Sequence, residues 1–264
     1  METTTFMMPS GFSITIREQS GEDEDKLSRL GDAKTSDNLQ NFLSGIIVGN
    51  DDAEHVDAAG KHKDTYTPSD IAAWKVNDKY YAVLKSRLFS LGKEVKFNYI
   101  FKDEPLPSSL PDGYLFTEDL TIFDADLANY KAIKDTLPAT AIMPYPLGKA
   151  MSREFQLTSK KEVKYNLLSS YGEKRMLDKS ENDLSINDSL RIRELQWKQA
   201  NGQWMPVENF RDFKSSEMQE LRADIKKHDP QFSMRSTVTS PKTGNKETFP
   251  IITLQDFFYP VTQL

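Results

Sequence analysis

The hydrophobic period of the chain changes from that of a helix to that of a strand at Gly92, and this change limits the folds open to it. Upstream, apolar residues recur in steps of three, four or seven: Ile71, Trp74, Tyr81, Leu84, Leu88 and Leu91. Downstream, apolar and polar residues alternate from Val95 to Tyr99. The first spacing places side chains on one helix face, and the second places them on one strand face. We therefore predict one helix from Thr67 to Leu91, followed by a half-buried strand.

The same exchange of periods recurs along the chain. Helical spacing or capping signals predict further helices that begin near residue 22 and cover about 36–47, 171–176, 185–197 and 216–228. Alternation predicts strands near 12–16, 95–99, 114–123, 155–157, 163–167, 232–238 and 247–252. Each strand return lies across a turn-forming stretch, so the strands should form antiparallel hairpins. The predicted fold class is α+β, with two similar modules that each pack a few helices with hairpins.

A proline-rich stretch separates the two predicted modules. Pro138, Pro144 and Pro146 lie close together, and proline resists both helix interiors and central strands. We therefore predict an N-terminal module at 1–137, a linker at 138–150 and a C-terminal module at 151–264.

Composition excludes several classes of protein. The 264 residues include no cysteine, so disulfides and thiolate metal ligands are ruled out. No apolar run approaches the ~20 residues of a membrane span, and no apolar leader opens the sequence. A net charge of −6 provides no basic field for phosphates, which argues against nucleic acid as a partner. We expect a protein that is made in a reducing cytosol and acts on other proteins.

Motifs that would indicate catalysis or cofactor binding do not occur in the sequence. There is no glycine-rich phosphate loop, no nucleophile elbow and no zinc-ligand spacing around His55, His62 or His228. We therefore predict no catalytic residue, no metal, no cofactor and no small-molecule substrate. An enzyme with an unfamiliar site stays open as the third alternative.

Three groups of residues carry a resemblance to a known family. The first opens the chain: Pro9-Ser10-Gly11, then Ile16-Arg17-Glu18 and Ser20-Gly21-Glu22-Asp23-Glu24. The second is Leu88-Phe89-Ser90-Leu91-Gly92 with Val95 and Phe97. The third closes it: Leu221-Arg222, Ile225, His228-Asp229-Pro230, Pro241, Gly244 and Phe257-Phe258-Tyr259-Pro260. In this order they resemble the baseplate hub assembly proteins of T4-type bacteriophages, over about two thirds of the chain.

The chain departs from that family at a turn that holds zinc in many relatives. They carry a Cys-Pro-x-Cys-Gly knuckle where this chain has Ser240-Pro241-Lys242-Thr243-Gly244. Hydroxyls do not replace thiolates, so the resemblance implies the fold and the role but not the metal. Because a structural zinc supplies ~10–16 kcal/mol of apparent folding free energy, packing or a partner must hold this hairpin instead. Pro241 and Gly244 can keep the turn geometry without metal.

The resemblance implies a non-enzymatic factor that promotes assembly of the baseplate central hub of a contractile tail. Its partners would be hub or tail proteins, with the tape-measure protein as one candidate. It would act in the host cytoplasm during assembly. The second alternative is a permanent structural subunit of a phage baseplate, a tail or a related injection machine, which would place it in the virion.

Two segments are the candidate docking sites for such a partner. The first is the run of aromatic residues near the end of the chain, Phe257, Phe258, Tyr259 and Pro260. These rings dock a partner if they are exposed, or pack on the second module if they are not. The second is the long hairpin tip at 104–113, which displays Leu106 and Leu110.

Overall fold

The computed structural model describes residues 1–27, 35–102, 104–105, 108–124, 151–177, 187–229, 234–253 and 255–258. The predicted α+β class is confirmed: helices alternate with small sheets, and every strand pair is antiparallel. The predicted linker at 138–150 lies outside the described residues. Among these residues there are two hydrophobic cores, and polar contacts lie between them.

The first core begins with a three-stranded sheet and two helices. The strands, in the order β1-β2-β3, are β1 (Thr3–Met7), β2 (Ser13–Arg17) and β3 (Ile47–Asn50). The helices are α1 (Gly21–Leu27) and α2 (Thr35–Ile46). The predicted strand at 12–16 is confirmed as β2, whose Ile14 and Ile16 are fully buried. Strand β1 was not predicted, because its first three residues are threonines and show no alternation of apolar and polar residues.

The predicted helix from Thr67 to Leu91 is two helices, α3 (Pro68–Ala72) and α4 (Val76–Leu91). At the break, Lys75 has an extended backbone with ψ of 145°. The Ser170 amide donates to the Trp74 carbonyl (2.8 Å), and the Val76 amide donates to the Leu168 carbonyl (3.0 Å). A segment far along the chain therefore supplies the hydrogen bonds that an unbroken helix would have formed internally.

Two hairpins pack face to face in the first core. The first, predicted correctly, joins β4 (Glu94–Tyr99) to β5 (Tyr114–Asp119). The second joins β10 (Arg235–Thr239) to β11 (Lys246–Pro250). The prediction that this second hairpin belongs to the C-terminal module is wrong. Its Met234 and Val238 are buried in the first core, because its apolar face closes over the apolar face of β4 and β5.

The second core packs a four-stranded sheet against helices. The strands, in the order β6-β7-β8-β9, are β6 (Ser152–Gln156), β7 (Glu162–Asn166), β8 (Gln196–Lys198) and β9 (Trp204–Pro206). Helix α5 (Ser170–Leu177) lies between the cores and contacts α2, α3 and α4 of the first as well as α6 (Asp188–Ile192) of the second. Helix α7 (Ser215–His228) contributes Met218 and Leu221 to the second core. The helix predicted over 185–197 is wrong beyond Ile192: Glu194 takes a positive φ of 52°, and Trp197 pairs with Val163 in the sheet.

Charged groups contribute to the contacts between the two cores. The ammonium of Lys79, which is fully buried, contacts the Glu173 carboxylate of α5 and donates to the Ser36 hydroxyl (3.1 Å). A second ion pair joins Lys174 to Asp37 (2.6 Å). Burial lowers the pKa of Lys79, because a charged ammonium loses its hydration there. These ion pairs, the contacts of α5 with α2, α3 and α4, and the two backbone hydrogen bonds at the break between α3 and α4 join the cores.

Candidate protein-docking site

The two stacked hairpins form the surface that displays the predicted tip. Phe249 of β11 stacks on Tyr99 of β4 with ring centroids 4.7 Å apart, and it meets Phe97 edge-on at 5.6 Å. The Tyr99 hydroxyl donates to Glu247 (2.7 Å). Burial and this carboxylate raise the pKa of Tyr99 to about 12. Aromatic packing and a charged hydrogen bond thus fix one hairpin against the other.

Glu104 joins the predicted tip to the turn at 240–244. We call this turn the former knuckle turn, because it stands at the place of the zinc knuckle in the proteins that the sequence resembles. Its carboxylate accepts hydrogen bonds from the hydroxyls of Ser240 (2.5 Å), Thr243 (3.3 Å) and Tyr114 (2.8 Å). These donors hold the pKa of Glu104 below its usual range, with Ser240 contributing most. The hydrogen bond from the Tyr114 hydroxyl to Glu104 raises the pKa of Tyr114. The two segments that the sequence analysis treated separately are therefore one structural unit.

Hydroxyl groups and a glycine shape the former knuckle turn. Ser240 Oγ accepts from the amides of Lys242 (3.1 Å) and Thr243 (3.0 Å) while it donates to Glu104. The Gly244 amide donates to the Ser240 carbonyl (2.9 Å), and Gly244 takes a φ of 75°, which favours glycine. Pro241 lies in the turn, exposed. These hydrogen bonds close the turn without any thiolate ligand.

Exposed aliphatic side chains gather at the tip end of β4 and β5, around Gly113. Ile100 is 51% exposed, Leu115 is 54% exposed and Leu110 is 37% exposed. The Gly113 amide donates to the Leu110 carbonyl (3.1 Å), and a Cβ at Gly113 would lie 2.5 Å from the Tyr99 carbonyl oxygen and 3.0 Å from Ile100. Glycine is thus required for the tip to fold back this closely. We call Ile100, Leu110 and Leu115 the tip patch.

The predicted docking role of Phe257 and Phe258 is corrected by the structure. They lie in helix α8 (Gln255–Phe258) at 0% and 2% exposure, packed in the first core. Arg87, itself buried, donates from Nε to the Phe257 carbonyl (2.6 Å). The rings belong to the same hydrophobic cluster as Met234 and Val238 of the second hairpin. They are therefore not available to a partner in this conformation.

Three predicted docking residues, Leu106, Tyr259 and Pro260, lie outside the described residues. Of the predicted docking set, Leu110 alone is both described and exposed.

The tip patch contains two residues that the sequence analysis missed, and the sequence does carry a signal for them. In β4 the buried phase of the alternation is Val95, Phe97 and Tyr99, so Ile100 falls on the solvent phase. In the same way Leu115 is out of phase with Tyr114 and Phe116. An aliphatic residue on the polar phase of a half-buried strand is a surface feature that needs a reason.

The described residues contain no metal-ligand cluster and no membrane-spanning helix. Within the part of the chain that the structure describes, no three histidine or acidic side chains gather as metal ligands. No helix in that part is both long and apolar enough to cross a bilayer. No family model, curated protein or solved structure matches this chain.

Proposed function

We propose that this protein is a non-enzymatic assembly factor that binds other proteins and promotes assembly of the central hub of a phage tail baseplate. The observation that carries the binding role is the tip patch, a group of exposed aliphatic side chains on a rigidly held hairpin. The resemblance of the sequence to hub assembly proteins supports the class of partner. The proposed partners are hub or tail components, with the tape-measure protein as one candidate.

Contacts of the residues next to the tip patch favour recognition over an idle loop. Phe249 stacks on Tyr99, the neighbour of Ile100, and Glu104 accepts from Tyr114, the neighbour of Leu115, as well as from Ser240 and Thr243. A surface that is already ordered loses little conformational entropy when a partner binds. Exposed apolar groups then gain free energy as they leave water, at about 25 cal/mol per Å². Holding two hub components on such a surface would raise their effective concentration for each other.

A double variant tests the docking role directly. We expect Ile100→Ser with Leu115→Ser to lose capture of hub proteins from infected cells and to slow hub assembly, while the fold is kept because both side chains face solvent. Val56→Ser is the matched control, since Val56 is 42% exposed on another part of the surface. Equal capture by the double variant and the control would contradict the proposal.

Mass spectrometry of purified virions separates an assembly factor from a permanent subunit. An assembly factor should be absent from mature particles, whereas a structural subunit should be present in a fixed ratio to known baseplate proteins. Detection at such a ratio would favour the structural subunit and overturn the transient role.

A further inference from the structure

The backbone of β5 has a defined hydrogen-bonding side and a defined open side. The β4–β5 register pairs Phe97 with Phe116, and the same register places Lys93 opposite Leu120, whose amide donates to the Lys93 carbonyl (2.8 Å). In an antiparallel pair, residues that exchange hydrogen bonds alternate with residues that do not. Phe116 and Glu118 therefore bond to β4, and the amides and carbonyls of Leu115 and Thr117 point away from it.

The groups on this open side have no partner among the described residues. No hydrogen bond joins the backbone of Leu115 or Thr117 to any other described part of the chain. Both residues are exposed. Ile100 would lie opposite Gly113 in the same register, so it is diagonal to Leu115 on the outer face. An open strand edge and two exposed aliphatic side chains thus occur together.

Three other edge strands, β4, β9 and β11, carry features that protect them. On β4, the Glu94 carbonyl accepts from Arg87 Nη2 (2.9 Å). Strand β9 ends at Pro206, and strand β11 carries Lys246 and Pro250. Lysine and proline at an edge discourage pairing with another chain. Strand β5, with the sequence Tyr-Leu-Phe-Thr-Glu-Asp, has neither residue.

We infer that a partner protein docks by adding an extended segment to the open edge of β5, as a third strand of the β4–β5 sheet. The inference rests on the proposed function and specifies how its partner is recognised. Backbone groups of the segment would pair with Leu115 and Thr117, and aliphatic side chains at alternate positions would cover Leu115 and Ile100. A second copy of this chain is the competing occupant.

Amide hydrogen exchange of the free chain tests whether the edge is open. We expect the amides of Leu115 and Thr117 to exchange rapidly and those of Phe116 and Glu118 to be protected, because only the latter pair with β4. Protection of the Leu115 and Thr117 amides at a concentration where the chain is monomeric would overturn the inference, since another part of the chain would then occupy the edge.

The variant Thr117→Pro tests docking without touching the β4–β5 ladder. Proline removes the outward amide and places its ring where the added strand must lie. Thr117→Val is the matched control, because valine keeps the amide and the shape of threonine. The probe is a fluorescent peptide of alternating valine and threonine, as long as β5 and flanked by lysines. We expect Thr117→Pro to weaken its binding at least tenfold and Thr117→Val to leave it unchanged.

The remaining outcomes are equally decisive. A copy of the peptide that is N-methylated at alternate amides should not bind. Absence of binding by the unmodified peptide, equal binding of its methylated copy, or unchanged binding by Thr117→Pro would each overturn strand addition. If the full chain forms a dimer and Thr117→Pro dissociates it, the occupant of the edge is a second copy of this chain and not a partner protein. Because the peptide assay contains no phage component, strand addition can stand even if the hub assembly role fails.

Discussion

The guanidinium of Arg87 is almost completely buried and donates to three backbone carbonyls, those of Phe257, Gly92 and Glu94. Burial lowers its pKa to about 10, so the side chain stays charged at neutral pH. One residue thus ties the end of α4, the start of β4 and helix α8 together. In the sequence Arg87 lies in a helical pattern and gives no sign of this role, because its acceptors are distant backbone atoms.

Replacing Arg87 by lysine should cost about 3 kcal/mol of unfolding free energy, because an ammonium cannot reach three carbonyls in this geometry and hydrogen bonds to charged groups contribute about 1.5–3 kcal/mol each. Chemical denaturation measures the change. Lys93→Ala is the control: Lys93 is 60% exposed in its pair with Asp119, and its loss should cost under about 1 kcal/mol. A midpoint for Arg87→Lys equal to that of the control would refute this role.

At the scale of elements, the sequence predicted the hairpins well and the long helix less well. Strands β4 and β5 follow a two-residue period, which is local and readable. The break between α3 and α4 depends on amide and carbonyl partners at Leu168 and Ser170, and no local pattern reports them. The contact between the tip and the former knuckle turn was hidden for the same reason, since Glu104 and Ser240 are far apart in the chain.

The contact between the tip and the former knuckle turn should depend on pH. Hydrogen bonds depress the pKa of Glu104 in the folded state, so the stabilisation is complete above the pKa of a free glutamate, about 4.3, and is lost as the pH falls through the lower folded value. We expect the Thr243 amide resonance to titrate in that acidic range.

The variant Glu104→Gln should abolish this titration at Thr243, and Glu94→Gln should leave it in place, because Glu94 lies at the opposite end of β4. An unchanged Thr243 titration in Glu104→Gln would show that another group is responsible.

At the scale of the whole molecule, sequence order and core membership differ. The second hairpin and helix α8 come last in the chain, yet they complete the first core, while the sheet of β6 to β9 forms a core of its own. Segments at both ends of the chain thus form the first core, and the segment between them forms the second. A division into consecutive modules cannot describe this arrangement.

A chain that ends at residue 229 should therefore lose structure in the first core and keep it in the second. Without the second hairpin and α8, the apolar face of β4 and β5 would be exposed to water, and Arg87 would lose its Phe257 acceptor. Hydrogen exchange should show fast exchange in β4 and β5 beside continued protection in β6 and β7. Loss of protection in the second core instead would contradict this arrangement of the cores.

The sequence by itself determined the α+β class, most hairpins and the buried faces of strands, because these depend on periodicity and turn chemistry over a few residues. It also indicated a turn at 240–244 that forms without thiolates. Only the tertiary structure decided that Phe257 and Phe258 are buried, that Glu104 binds this turn, and that the outer edge of β5 has no partner among the described residues. Those features depend on contacts between segments that are distant in the sequence, and such contacts form only when the chain folds.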